Sequence, residues 1–177
     1  MTIGKSDTRH DYHMTKQDGT VTNIERSKLE RDLGVLVDEQ LNFAEHIHKI
    51  SCKANGIMAV IRRTYSDLDI NCFLLLYKAL VRPHLEYCAT VWSPYKMKDI
   101  ETIVKVQKRA TKQVTGLYSL SYEDRLKKLD IPTLRFRRCR GDMIEVFNIL
   151  HDIYDKSVTT QLLTLMEGSI TRGQHMK

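Results

Sequence analysis

The residues of this chain best suited to chemistry are cations. Lys105, Lys108, Arg109 and Lys112 recur at intervals of three and four. At ~100° per helical residue they fall within an arc of about 80° on one face of a helix. Ile100, Ile103, Ala110 and Val114 occupy the opposite face. A uniformly basic face neutralises phosphates and releases counterions, which gives sequence-independent, salt-sensitive binding to nucleic acid. The competing reading is a solvated face on which Glu101 pairs with Lys105 at i,i+4. A second group, Arg135, Arg137, Arg138 and Arg140, crowds the first turns of another helix, where the macrodipole disfavours each cation by about 0.3 to 1 kcal/mol. Phosphate is one compensating partner for it. Asp142, or Glu123, Asp124 and Asp130 from the preceding segment, is the other.

Other chemistries are poorly supplied. His84 with Cys88, and His46 with His48, each lack a third ligand at metal-site spacing, so core or surface roles are expected and no metal. There is no glycine-rich phosphate loop, Ser-His-Asp pattern or nucleophilic-cysteine context. Cys52, Cys72, Cys88 and Cys139 are irregularly spaced, without a CxxC pair, and are expected to be reduced and to serve as small core hydrophobes. Reduced cysteines and the absence of a signal-peptide pattern lead to an intracellular expectation, nucleus or cytoplasm undecided. The apolar run Leu74 to Leu85 contains Lys78 and Arg82, with His84 beside them, which argues against a membrane span.

A chain of 177 residues, 42% hydrophobic and 28% charged, with a net charge of +6, is consistent with one folded domain or a piece of a larger one. Its elements are expected in the order that positions those cations. Residues 1–42 read as extended, with Tyr12-His13-Met14 and Thr20 to Ile24 flanking a turn at Asp18-Gly19, and Leu33 to Val37 as a third strand. From Asn42 the period becomes helical. Asn42 and Glu45 have capping-box spacing, and Ile47, Ile50, Ala54, Ile57, Met58, Ile61 and Tyr65 form one apolar face. Asp69 caps the next helix, which is apolar nearly all round through Leu80 and so is expected at the centre of the bundle. Pro83 predicts a kink or break. Leu85, Cys88, Ala89 and Trp92 resume a helical stripe, and a further helix is expected from Lys98 to Thr115 with Gly116 beyond its end. Ser121 caps a short helix to Leu129, and Pro132 opens the last long one, to about Ile153. The fold class is therefore mainly α: a bundle of about five to six helices over residues 43–156, a small N-terminal antiparallel β hairpin or meander over 1–42, and a fraying tail over 157–177.

The run FLLLYKALVRPHLEYCATVWSPY (Phe73 to Tyr95) resembles the helical region that follows the polymerase palm in reverse transcriptases of non-LTR, LINE-like (jockey-type) retrotransposons. RDLGVLVDEQLNF (Arg31 to Phe43), the IRR of Ile61 to Arg63, DIETIVKVQKRATK (Asp99 to Lys112), LSYEDRL (Leu120 to Leu126) and RRCRGDMIEVFNIL, ending at Leu150, follow in the family's order. The resemblance covers roughly residues 30–155.

The resemblance implies several things. Such polymerases hold two metal ions with carboxylates from a strand Asp and a Tyr-x-Asp-Asp hairpin, because both attacking and leaving oxygens need stabilising. Here Tyr122-Glu123-Asp124-Arg125 and Tyr65-Ser66-Asp67-Leu68 are the nearest matches, and both depart from it at the fourth position. Met1 to Met14 resembles the strand region after the catalytic hairpin, so the chain is expected to be a noncatalytic piece, with Mg²⁺ needed only by a complete polymerase. Leu33, Gly34 and Val35 match the primer-grip hairpin, whose glycine permits close approach of the backbone to the primer; the other reading is a simple strand bend. The helices after Asn42 resemble the thumb. The implied partner is an RNA or DNA duplex held through Lys105, Lys108, Arg109, Lys112, Arg135 and Arg138. A second expectation is a helical interaction module whose exposed apolar helices bind the missing palm or another protein, and a third is a translation product without function.

Overall fold

In a computed structural model, which describes residues 11–159 together with Met1, Ile3 and Leu163, the chain enters through two β-hairpins and continues as a mainly helical bundle. Strands β1 (His13–Thr15) and β2 (Val21–Asn23) pair antiparallel about Asp18-Gly19, as the sequence predicts. Gly19 takes φ +81°, and the Asp18 carboxylate accepts from the Thr20 amide at 2.9 Å.

The next hairpin differs from expectation. Leu33 and Gly34 are not in a strand; they form the two-residue turn between β3 (Leu29–Asp32) and β4 (Val35–Asp38). Their φ angles of 43° and 91° are both positive, which is what the tightest hairpin loop needs. The charged sequence of β3 is exposed throughout, so no apolar alternation announced it. The two hairpins are separate two-stranded sheets rather than one meander.

Helix α1 (Ala44–Thr64) buries Ile47, Ala54, Met58 and Ile61 on the predicted face. The predicted capping box does not form. Phe43 takes the cap position in a left-handed conformation, and the Asp38 carboxylate of β4 instead accepts from the amides of Phe43 (2.7 Å), Gln40 (3.0 Å) and Asn42 (3.2 Å). Burial would raise the Asp38 pKa, but these backbone hydrogen bonds outweigh it and hold the carboxyl below its ordinary value. The Asn42 side chain is engaged elsewhere, accepting from Tyr95 Oη at 2.6 Å and Lys96 Nζ at 2.7 Å.

The centre of the bundle is one helical rod: α2 (Ile70–Leu76), a π-helical turn (Tyr77–Val81) and α3 (Arg82–Glu86). Asp69 caps it as predicted, accepting from the Asn71 and Cys72 amides. Pro83 does not break it. The Arg82 amide reaches back five residues to the Tyr77 carbonyl, and this widened turn makes room for a proline ring that would collide with a carbonyl in a regular α-turn. The break comes four residues later, where Tyr87 is extended and Cys88 takes φ 50° before α4 (Ala89–Trp92). Nor is the rod buried all round. Phe73, Tyr77, Val81 and Leu85 form its buried line, whereas Leu75 is 69% and Leu80 46% exposed.

The remaining helices are α5 (Met97–Thr111), α6 (Tyr122–Leu129), α7 (Leu134–Leu150) and α8 (Lys156–Thr159). Helix α5 stops four residues before the predicted end, and Gly116 takes φ +76° beyond it. Ser121 caps α6 as predicted; Thr133, not Pro132, caps α7, accepting from the Phe136 amide at 3.1 Å. Ile103, Val106 and Ala110 of α5 join α1, the central rod, Leu126, Leu129 and Leu134 in a single core. The four cysteines are free as expected, but they are not core residues: Cys52 and Cys139 are exposed, Cys72 and Cys88 half-buried. Cys52 lies one residue off the buried line of α1, and Cys139 one residue past the buried Arg138. The expected tail over 157–177 and the first strand region lie largely outside the described residues.

Two glycines give opposite predictions. Gly34→Ala forces a side chain into φ +91°, although its Cβ would meet only Tyr87 Cε1 at an ordinary 3.5 Å, so the cost is conformational and is expected to be about 1 to 2 kcal/mol. Gly56→Ala, within α1 and open to solvent, is expected to stabilise by about 0.5 to 1 kcal/mol. Urea unfolding of the two variants reads both signs.

Candidate nucleic-acid interface

The junction of α5, α6 and α7 is organised by one buried amide. Gln107 is 1% exposed; its Nε2 donates to the Pro132 carbonyl at 3.1 Å. Its Oε1 accepts from Tyr122 Oη at 2.8 Å and from the Leu134 amide at 3.2 Å. Three helices are thereby tied to one side chain, whose Nε2 and Oε1 both meet neutral partners.

Beside this junction the four predicted cations come together. Lys105, Lys108, Arg109 and Lys112 line a cleft of about 410 Å³ whose other wall is Leu120, Ser121, Tyr122 and Arg125. Lys112 lies just past the end of α5 and still faces the cleft. Lys108 and Arg109 are in the last turn of α5, where the macrodipole favours them. The Glu101–Lys105 pair forms at 3.5 Å but is well exposed, so it offsets little of the charge.

Two members of the wall, weighed from the sequence only as the ends of the Tyr122-Glu123-Asp124-Arg125 tetrapeptide, were not expected in a binding surface. Arg125 is 2% exposed, and its guanidinium donates to Thr111 Oγ1 at 3.0 Å, the Leu120 carbonyl at 2.5 Å and the Lys108 carbonyl at 3.5 Å. All three acceptors are neutral, and among the described residues no carboxylate forms an ion pair with it. Tyr122 presents its ring to both cations: Lys108 Nζ lies 5.3 Å and Arg125 Cζ 5.9 Å from the centroid. Lys112 stands similarly over Tyr118 at 5.8 Å. The only signal for these residues was their place in LSYEDRL; an arginine three residues into a helix has no spacing that marks it as interior.

The arginines of α7 are disposed differently. Arg137 makes a two-pronged pair with Glu86 of the central rod, its Nη2 at 2.9 Å from Oε2, and Arg82 adds a contact to Glu86 at 3.8 Å. Arg138 is 6% exposed with Nη1 unpartnered; burial disfavours its charge, and nearby Asp142 and Glu86 oppose that effect. It lines a second cleft with Glu86, Asp142 and Glu145. Arg135 is exposed. The expected Asp142 is thus one of the compensating acids, but the principal one, Glu86, comes from a helix fifty residues away in sequence.

The tetrapeptides nearest to the catalytic pattern have structural placements. Ser121 Oγ donates to Asp124 at 2.6 Å in the α6 cap, while Thr115 donates to Asp67 and, through its amide, to the Leu68 carbonyl at 3.0 Å. Leu33, Gly34 and Val35 lie at the β3–β4 turn, where the Leu33 carbonyl accepts from Tyr87 Oη at 3.0 Å. His46 is a core residue beside Trp92, their rings 5.3 Å apart, and among the described residues no cluster of three metal-ligating side chains occurs. No described helix is long and apolar enough to cross a membrane.

The chain is 28% identical over 126 residues to an uncharacterized protein of Caenorhabditis elegans, covering 70% of this chain and 64% of that protein. It is 26% identical over 87 residues to the probable RNA-directed DNA polymerase from transposon X-element of Drosophila melanogaster, covering 48% of this chain and 10% of the polymerase. The chain therefore spans less than two thirds of either relative. A relationship to transposon reverse transcriptases is what this partial similarity supports. No family model matches the chain. No solved structure matches it.

Tyr122 offers a test of the junction. Burial pushes its phenol up to about 12, with Arg125 acting in the opposite direction. A folded-state value above the unfolded value of about 10 means stability is intact below pH 10 and falls as pH rises from 10 to 12. Tyr122→Phe is expected to flatten that alkaline limb and to cost about 1 kcal/mol at neutral pH through the lost Gln107 hydrogen bond. Thermal unfolding across pH 7 to about 12 reads both effects; the slope that remains belongs partly to Tyr77, whose phenol is also raised by burial.

Proposed function

We propose that this chain is a noncatalytic, nucleic-acid-binding portion of a non-LTR retrotransposon reverse transcriptase, and that it grips a duplex backbone through the α5–α6 cleft. The observation that carries this reading is the convergence of Lys105, Lys108, Arg109 and Lys112 on one cleft floored by the buried, carboxylate-free Arg125. Cations that are not cancelled by neighbouring acids are available to phosphates, and the contacts made this way are to backbone and not to base edges. Arg135, exposed on α7, is proposed to extend the surface on grounds of resemblance, whereas Arg138 is buried at the second, acid-lined cleft and is not counted among the phosphate contacts. Leu33, Gly34 and Val35 are proposed as a primer-grip-like turn on the same grounds of resemblance. No metal-dependent step is assigned to this chain.

Substituting Lys105, Lys108, Arg109 and Lys112 together by alanine is expected to weaken binding to any duplex, and to reduce the slope of log K against log salt by about three to four. Fluorescence anisotropy with unrelated RNA and DNA duplexes across a salt series measures it. An unchanged slope would remove the stripe from the interface.

A second reading, a helical protein-interaction module, is favoured by α7, where Met143, Ile144 and Phe147 are exposed on its distal half at 65%, 47% and 53%. Protein that binds no duplex at low salt yet self-associates in sedimentation, with Met143→Asp/Phe147→Asp restoring the monomer, would belong to this second class.

A further inference from the structure

Beyond the end of α5 the chain turns through Gly116 to Leu120 before Ser121 caps α6, and that turn is held at both ends. Leu117 is 3% exposed and Leu120 packs against the core. The Leu117 amide donates to the Val114 carbonyl at 3.1 Å, and the Leu120 amide to the Leu117 carbonyl at 3.2 Å. Between these anchors Tyr118 is 75% exposed. A tyrosine that served the fold would bury its ring, as Tyr77 does in the central rod. Tyr118 instead displays a large aromatic side chain on a fixed backbone, so little freedom is lost when a flat group lies against it.

The surroundings of the ring supply the second observation. Lys112 Nζ stands 5.8 Å from the Tyr118 centroid, and the same Lys112 lines the α5–α6 cleft with Lys105, Lys108 and Arg109. One ammonium thus joins the basic cleft to the aromatic, and a phosphate held by it lies within one nucleotide of a base placed on the ring. The neighbouring Tyr122 is already occupied: Lys108 and Arg125 flank its ring, and its hydroxyl is tied to Gln107. A cationic groove with an exposed aromatic at its rim is the combination that takes unpaired nucleic acid, because every base offers a π face whatever its sequence. Paired bases inside a duplex cover those faces with their own neighbours, so the ring adds nothing to a grip on duplex backbone.

We infer that Tyr118 is a stacking platform for an unpaired base, and that a strand leaving a gripped duplex passes from the cleft over Lys112 onto its ring. The inference rests on the duplex-backbone reading of the cleft and adds one substrate feature to it, a single-stranded segment adjoining the duplex. Lys112 neutralises the phosphate of that nucleotide, and the face of the phenol takes its base.

The test uses the full chain and two duplexes of identical sequence, one with a short adenine overhang and one with an abasic overhang of the same length, compared by fluorescence anisotropy. The two carry equal phosphate charge, so the ratio of their affinities isolates the base. The adenine overhang is expected to bind about tenfold more tightly. Tyr118→Ala is expected to bring the ratio to one and Tyr118→Phe to preserve it, since the ring and not the hydroxyl makes the stack. A fluorescent purine analogue in the overhang, quenched by the wild-type chain and not by Tyr118→Ala, reads the same contact directly. Equal affinity for the two overhangs, with duplex binding intact, overturns the platform and leaves the duplex grip standing; binding to neither probe at low salt overturns both. A ratio that survives Tyr118→Ala, or is lost equally in Tyr118→Phe, also overturns the assignment.

Discussion

Pro83 sits in the central helical rod, whose Phe73, Tyr77, Val81 and Leu85 belong to the core, and the way the chain accommodates it sets much of what surrounds it. A regular α-turn there would lose one hydrogen bond and force a ring against a carbonyl, at about 3 kcal/mol. The π turn at Tyr77–Val81 removes the collision and keeps the rod continuous. A π turn also rotates everything beyond it relative to the helix before it. Phe73, Tyr77, Val81 and Leu85 still form one buried line, and Glu86 and Tyr87 emerge at the end of the rod facing different neighbours. Glu86 meets Arg137 of α7, Tyr87 Oη meets the Leu33 carbonyl of the hairpin turn, and the Tyr87 carbonyl takes the Trp92 indole N–H at 2.6 Å. Hairpin, rod, α4 and α7 are thus registered against one another within two residues.

That registration sorts the charges. Of the arginines at the start of α7, Arg137 receives its counter-charge from Glu86 and Arg138 lies near Asp142 and Glu86, so for these two the macrodipole penalty is offset inside the protein. The cations of α5 receive almost none, since their one pairing, with Glu101, is solvent-screened. Two basic clusters that look alike as sequence therefore differ in kind: one is a packing device built around a half-buried ion pair, the other an unneutralised field at the surface.

What could be read from the chain follows from how local each interaction is. The apolar face of α1, the Asp69 and Ser121 caps, the Asp18-Gly19 turn and the basic stripe of α5 all depend on residues within one or two turns of each other, and they were legible. The Asn42 cap failed because a competitor fifty residues away, the Tyr95 hydroxyl with the Lys96 ammonium, takes the same side chain. Leu33-Gly34 read as strand because its apolar, β-branched neighbours suggest one; only the partner strand β3, charged and exposed, shows it to be a turn. Glu86, Gln107 and Arg125 act through contacts 14 to 51 residues away in sequence, and no periodicity reports such pairings.

Arg125 and Gln107 show why the α5–α6 cleft keeps its charge. A buried guanidinium is expensive to desolvate, and the usual remedy is a carboxylate, which would cancel the field as well as stabilise the arginine. Here a hydroxyl and two backbone carbonyls satisfy its N–H groups without contributing a formal negative charge. Gln107, with the same reach as a glutamate, likewise ties three helices together while remaining neutral. The neighbouring tyrosine rings add only their quadrupoles. A glutamate at 107 would keep the acceptor to Tyr122 and Leu134 but lose the donor to Pro132 and place an acid beneath Lys108. The neutral choice leaves the positive potential of the cleft uncancelled by any formal charge from the residues that build its floor.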